Sequence, residues 1–160
     1  NLEWMYLLGD FGVAVKGDTA YITPMPGDIL FGDWCTQGLP FYAGNVTYHC
    51  DIDVEEGRYI LEAAKFRAPL LSVQLDGQDI GKIAFAPYRL DLGSLRGRHR
   101  VSITAYGCRI NAFGQLHNCD EQIWWYGPET WRTEGERFCR EYVLRRSGVL
   151  AAPRILRYED

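Results

Sequence analysis

The stretch that most constrains this chain is Asn45 to Val54. Val46, Tyr48, Cys50, Ile52 and Val54 fall on one parity, and Thr47, His49, Asp51 and Asp53 on the other. A period of two sustained over that length puts apolar side chains on one face of a β-strand and polar ones on the other. The same pattern recurs at Tyr59, Leu61 and Ala63, at Leu71, Val73 and Leu75, and at Val101, Ile103 and Ala105. Turn residues separate these runs: Glu55-Glu56-Gly57, Asp76-Gly77 and Gly93 to Gly97. The spacing predicts an inward set of Val46, Tyr48, Ile52, Leu61, Val73, Leu75, Val101 and Ile103, with Thr47 and Asp51 facing water.

Other segments fit the same plan. Leu7 to Val15 and Ala20 to Thr23, joined through Gly17-Asp18, read as a hairpin. Asp28 to Trp34 reads as a further strand, and Gln37 to Gly44, with Gly38, Pro40 and Gly44, as a loop. Arg137 to Leu144, Gly148 and Pro153 to Tyr158 read as closing strands. No long amphipathic helix is present. The prediction is an all-β, antiparallel β-sandwich in a single module: a leading hairpin over 1–27, a core over 28–110, an aromatic loop region over 111–135 and closing strands over 136–160.

Composition narrows the partners. The chain has 160 residues, 47% hydrophobic and 14% aromatic, which provides a core and a surplus of rings. Its formal charge of −4 argues against nucleic acid, which requires a basic face. Arg96, Arg98, His99 and Arg100 form the one basic cluster and read as a solvated turn. No apolar run approaches the ~20 residues that span a bilayer, so no membrane partner is expected. Five cysteines without a CxxC pair fit neither a disulfide framework nor a zinc site, and point to a reduced, cytoplasmic-type compartment. The chain starts at Asn1, as expected of a piece cut from a longer protein.

A family resemblance enters with the order of motifs. Gly44-Asn45-Val46-Thr47-Tyr48 leads into Arg58-Tyr59-Ile60-Leu61. Val73-Gln74-Leu75-Asp76-Gly77 and Ile80-Gly81 follow, then Tyr88-Arg89-Leu90-Asp91-Leu92 and Arg98-His99-Arg100-Val101-Ser102-Ile103. This series, over about residues 31 to 110, resembles the sugar-binding-type, galactose-binding-like jelly roll of family 2 β-galactosidases. Asn111 to Asn118 followed by Trp124-Trp125-Tyr126-Gly127-Pro128 is more similar to a C-terminal β-domain of rhamnosidase-like bacterial glycoside hydrolases. The resemblance implies a jelly-roll fold and a non-catalytic accessory module, a C-terminal fragment of a larger glycoside hydrolase. Its partner would be carbohydrate or the parent's catalytic domain, whose pocket it would help complete in a variant of the docking reading.

The residues agree that an active site is not expected. Glycoside hydrolysis needs two carboxylates flanking one bond. Asp33, Asp120, Glu121, Glu129 and Glu134 are candidates, and none sits in a catalytic motif. The three histidines, His49, His99 and His117, are scattered, and neither HExxH nor GxSxG occurs. No cofactor is expected; a structural calcium held by Asp33, Asn45 or Asp120 is the one ion considered. A sugar site needs rings for the apolar faces of a pyranose and amides, acids or imidazoles for its hydroxyls. Asn111, His117, Asn118, Asp120, Trp124, Trp125 and Tyr126 supply that mixture in one irregular segment, and Asp33, Trp34 and Tyr42 in a second. The competing use of the same residues is to close the ends of the sandwich, with Asn111, Asn118 and Asp120 pinning backbone.

Overall fold

The computed structural model describes residues 5–122 and 127–158. Among the described residues nine strands form, β1 Gly12–Lys16, β2 Thr19–Thr23, β3 Val46–Glu62, β4 Phe66–Arg67, β5 Leu71–Leu75, β6 Gln78–Ile83, β7 Arg89–Ala105, β8 Gly148–Val149 and β9 Arg154–Arg157, and helix is confined to α1, Ile110–Phe113, and short 3₁₀ turns at Trp34–Gln37 and Pro128–Thr130. Among the described residues no helix is long and apolar enough to cross a membrane.

The fold is all-β and antiparallel. Its main element is a five-stranded sheet in the order β6-β5-β7-β3-β9, accompanied by two two-stranded sheets, β1-β2 and β4-β8. The expected inward set is inward. Tyr48, Leu61, Val73, Val101 and Ile103 are buried, and Val46, Ile52 and Leu75 pack against them half-buried. Trp34, Leu39 and Val149 come from outside the sheet to cover that face. Gly148 permits this approach. Its φ is +100°, and a Cβ there would stand 2.9 Å from Tyr48 Oη and 3.0 Å from Trp34 Cε3.

The opposite face is a polar ladder. Thr47 and Thr104 join hydroxyls at 2.9 Å, and His49 Nδ1 meets Ser102 Oγ at 2.9 Å. Asp51 takes hydrogen bonds from Arg100 Nε at 2.8 Å and Arg98 Nη2 at 3.1 Å. These are cross-strand pairs of the kind that stabilise a sheet directly.

Two expected turns are not turns. Glu55-Glu56-Gly57 lies inside β3, and Gly93 to Gly97 inside β7; each strand runs on for 17 residues. The register identifies both as β-bulges. Val54 pairs with Gly97 and Gly57 with Leu95, so Glu55 and Glu56 together face Arg96. Tyr59 pairs with Gly93 and Ile60 with Asp91, so β7 carries the extra residue Leu92. Each strand changes alternation phase at its own bulge, which in sequence imitates a chain reversal. Gly93 and Gly97, at φ of +80° and +83°, supply the left-handed conformations that bulges and turns share. The carbonyls displaced from the ladder find other donors: Tyr59 Oη reaches Glu55 O at 3.0 Å and Arg157 Nη2 reaches Glu56 O at 2.8 Å.

The basic cluster is corrected by the same finding. It lies on β7, where Arg98 and Arg100 pair with Asp51, Arg96 with Glu56 and His99 with Asp76. Asp28 to Trp34 forms no strand, Trp34 opening a 3₁₀ turn instead, and Arg137 to Leu144 contributes only the single bridge Asn118–Phe138. The leading hairpin forms as expected, with Gly17 at φ +62° in the two-residue turn.

Candidate functional site

The candidate residues divide into two clusters and a group that lies outside the described residues. The first cluster is a clasp between the 3₁₀ turn after Asp33 and the segment leading into β8. Asp33 caps that turn, its Oδ1 accepting from Cys35 N at 3.0 Å and from Ser147 N at 3.1 Å. Trp34 N donates to Ser147 O at 3.1 Å. Asn111, 3% exposed, completes it: Oδ1 accepts from Arg145 N at 2.9 Å while Nδ2 donates to Arg145 O at 2.7 Å and to Cys35 Sγ at 3.3 Å. An amide side chain here imitates one rung of a sheet, satisfying a donor and an acceptor that no strand reaches. Burial, and then the charge of Asp33, push the Cys35 thiol up to about 12, so it remains protonated.

The rings of this cluster are unequally placed. Trp34 is 1% exposed and packs in the core, so in this conformation its faces meet protein. Tyr42 is 40% exposed, edge-on to Trp34 with centroids 6.3 Å apart, and its hydroxyl donates to Asn45 O at 3.2 Å.

The second cluster joins residues 117–120 to 137–142. Cys139 N donates to His117 O at 2.8 Å and Cys119 N to Arg137 O at 3.0 Å, flanking the Asn118–Phe138 bridge. His117 Nδ1 lies 3.2 Å from Cys139 O and 3.3 Å from Glu141 O, both acceptors, so this nitrogen carries the proton. Its ring packs on Tyr142 at 5.0 Å. Asn118, buried, donates through Nδ2 to Thr130 O at 2.9 Å and accepts Asp120 N at 2.9 Å. Asp120 in turn accepts Gln122 N at 3.0 Å and pairs with Arg137 at 3.4 Å.

Asn111, Asn118 and Asp120 thus do the pinning that their residue types suggest. Trp124, Trp125 and Tyr126 lie outside the described residues. Among the described residues no three His, Cys, Asp or Glu side chains are grouped to hold a metal ion. Asn45, the third calcium candidate, accepts Gly107 N at 3.2 Å. Of the remaining carboxylates considered for hydrolysis, Glu121, Glu129 and Glu134 are exposed.

Sequence reasoning missed one carboxylate. Glu62 is buried where β7, β3 and β9 meet, held by Arg89, whose Nη2 lies 2.7 Å away, and by Arg154. Hydrogen bonds from Arg89 and then Arg154 hold its carboxyl below the usual range. In the sequence it falls on the parity opposite Tyr59, Leu61 and Ala63, where a charge is ordinary, so no local signal marks it.

Comparison with solved structures places this architecture. A rhamnosidase from Novosphingobium sp. PP1Y aligns over 91% of this chain with a TM-score of 0.56 and 22% identity, and the match occupies 14% of the rhamnosidase chain. The chain shares its fold with that part of the rhamnosidase. A GH2 β-galacturonidase from Eisenbergiella tayi aligns over 66% of this chain and 18% of its own in a glycerol-bound structure, with 23% identity and a TM-score of 0.41. Its galacturonate-bound structure aligns over 59% and 17%, with 21% identity and a TM-score of 0.39. This chain spans less than a fifth of each of these proteins. No family model matches the sequence, and no curated protein matches it.

Proposed function

We propose that this chain is a non-catalytic accessory domain of a larger glycoside hydrolase, in which it serves as a structural and docking element. One observation carries the reading: nearly the whole chain aligns with a small part of a rhamnosidase. The clasps favour docking over sugar recognition. Asp33, Asn111, Asn118 and Asp120 direct their polar atoms at backbone groups of this chain, and Trp34 is in the core. Polar groups already paired within the protein gain little by exchanging partners with a hydroxyl. In this reading the five-stranded sheet and the segments that cover it make up a jelly-roll-type sandwich.

The experiment is a titration of the isolated chain with rhamnose, galactose, galacturonate and their oligosaccharides by calorimetry, alongside assays on the matching aryl glycosides. The expected result is neither heat of binding nor turnover. Saturable sugar binding would restore the carbohydrate-binding reading, and turnover that disappears on replacing one carboxylate would overturn the non-catalytic one.

A further inference from the structure

His99 of β7 lies on the strand face of Val101 and Ile103, across from Ile52 of β3, and is half-buried there. Both of its ring nitrogens face acceptors. Nδ1 lies 2.7 Å from Asp76 Oδ2, and Nε2 lies 3.2 Å from Arg96 O. A neutral imidazole has one N–H, so only the imidazolium donates to both.

The two acceptors belong to different parts of the sheet. Asp76 sits in the turn between β5 and β6, at φ +49°. That turn is fastened to β7 without the ring: Asp76 Oδ1 accepts from Arg100 N at 2.8 Å, and Asp76 N donates to Arg100 O at 2.9 Å. Arg96 is the single residue of β7 that faces the Glu55-Glu56 bulge of β3. Its guanidinium holds it weakly, since Nη1 is 3.9 Å from Glu56 Oε2 and both groups are exposed.

The charges around the ring reduce to one. From the β5–β6 turn it faces Asp76. On β3 the opposite residue is the apolar Ile52, and Asp51 and Asp53 lie on the other face of the sheet, where Asp51 pairs with Arg98 and Arg100. In the bulge Glu55 pairs with Arg157 and Glu56 with Arg96, and on β6 Asp79 pairs with Lys82. The hydrogen bond to Asp76 raises the imidazole above 6.5. The Asp76 carboxyl, held low by His99 and then by the Arg100 N–H, stays ionised while the ring titrates.

We propose that His99 is a proton-operated latch, which as an imidazolium ties the β5–β6 turn to the residue opposite the β3 bulge, and on losing its proton keeps the turn and lets go of Arg96. The acceptors decide which bond survives. A carboxylate at 2.7 Å holds a donor more firmly than a neutral carbonyl at 3.2 Å, so the proton leaves from Nε2. The bare nitrogen then faces the Arg96 carbonyl lone pairs, and this repulsion displaces the peptide unit that Arg96 shares with Gly97. A bulge sets the local bend and twist of its strand, so the charge of one ring governs the curvature of β3 and β7.

NMR of the isotopically labelled whole chain, over a pH series through the His99 midpoint, tests this. Below the midpoint both ring nitrogens carry protons. Above it Nε2 is bare and Nδ1 keeps its proton, as read from long-range proton–nitrogen spectra. The carbonyl carbon of Arg96 and the amides of Gly97, Glu55 and Glu56 shift with that midpoint, while the Arg100 amide keeps its exchange protection. In His99→Gln, which has nothing to titrate there, the Arg96 and Gly97 signals stay flat. In Asp76→Asn they move at lower pH, in step with the ring. Loss of the proton from Nδ1 instead overturns the proposal. So do Arg96 and Gly97 signals that ignore the wild-type midpoint, or that still titrate in His99→Gln. These spectra read neither sugar binding nor turnover, so the accessory-domain reading stands or falls separately.

Discussion

The five-stranded sheet and the segment from 111 to 147 are held together by different means. In the sheet, a period-two sequence buries one face of every strand, and the backbone is satisfied by neighbouring strands. In the 111–147 segment a few side chains stand in for missing strands, with Asn111, Asn118 and Asp120 pairing backbone groups one by one. The difference teaches where stability resides. The sheet's is distributed over many contacts and rises with buried area, whereas each clasp rests on a handful of polar contacts, and the loss of its buried amide leaves donors and acceptors unpaired.

The largest effect is expected where the two regions meet. Trp34 covers the sheet with its ring and holds the 145–147 segment through its backbone. Trp34→Ala should cost about 3–5 kcal/mol in chemical denaturation, as for a fully buried ring. A cost no greater than that of a surface substitution would break the distinction. Asn111→Ala comes next, at about 1–3 kcal/mol, because it strands Arg145 N–H and C=O. Hydrogen exchange sharpens the comparison: protection should fall around Arg145 to Ser147 while the β3 and β7 amides keep theirs. Global loss of protection would show that clasp and sheet are one cooperative unit.

Smaller effects report on single groups. Cys35, inside the clasp with its thiol pushed up to about 12, should resist iodoacetamide in the native state while the exposed Cys108 and Cys119 react. Rapid native alkylation of Cys35, read by mass spectrometry, would mean that the clasp opens. On the sheet's polar face, hydrogen bonds from Arg100 and then Arg98 hold the Asp51 carboxyl down to about 2. A depressed carboxyl stabilises the fold above its ordinary value of 3.8, and that contribution is lost as the pH falls through about 2. His99 has the opposite sign. The hydrogen bond to Asp76 raises it above 6.5, so its contribution is present below 6.5 and is lost as the pH rises through the folded value. Asp76→Asn should bring the His99 midpoint, followed by NMR, back toward 6.5; an unchanged midpoint would assign the shift elsewhere.

The same contrast explains what was legible in the sequence. Alternation located the sheet's inward residues from Val46 to Ile103, because a buried face imposes its period on the side chains. The bulges were misread because a phase slip beside a glycine also marks a turn, and only the pairing partner, Arg96 opposite Glu55 and Glu56, distinguishes the two. The pinning by Asn111, Asn118 and Asp120 followed from residue type; Asp120 reaches Gln122 N two residues on, a local Asx-type spacing, but the partners of Asn111 at Arg145 and of Asn118 at Thr130 obey none. Asp28 to Trp34 has strand-like composition, but its backbone is taken up by the Gln37 side chain and by single bonds to Ser147 and Val149, which no local pattern records.

The two bulges also have a consequence for how the length of this chain can vary. Within a regular strand, adding or removing one residue turns every later side chain to the wrong face. At Glu55-Glu56 the surplus residue is already accommodated outside the ladder. Losing one of these glutamates would leave Gly57 opposite Leu95 and keep Tyr59 and Leu61 facing the core, altering the bend of the strand and not its partners. Removing Ile52 would instead rotate the apolar face of the strand into water. Leu92 is the surplus residue of β7, but its side chain lies in the core, so losing it would keep the register and open a cavity. Within these two long strands, the Glu55-Glu56 bulge is therefore where a single-residue deletion does least harm.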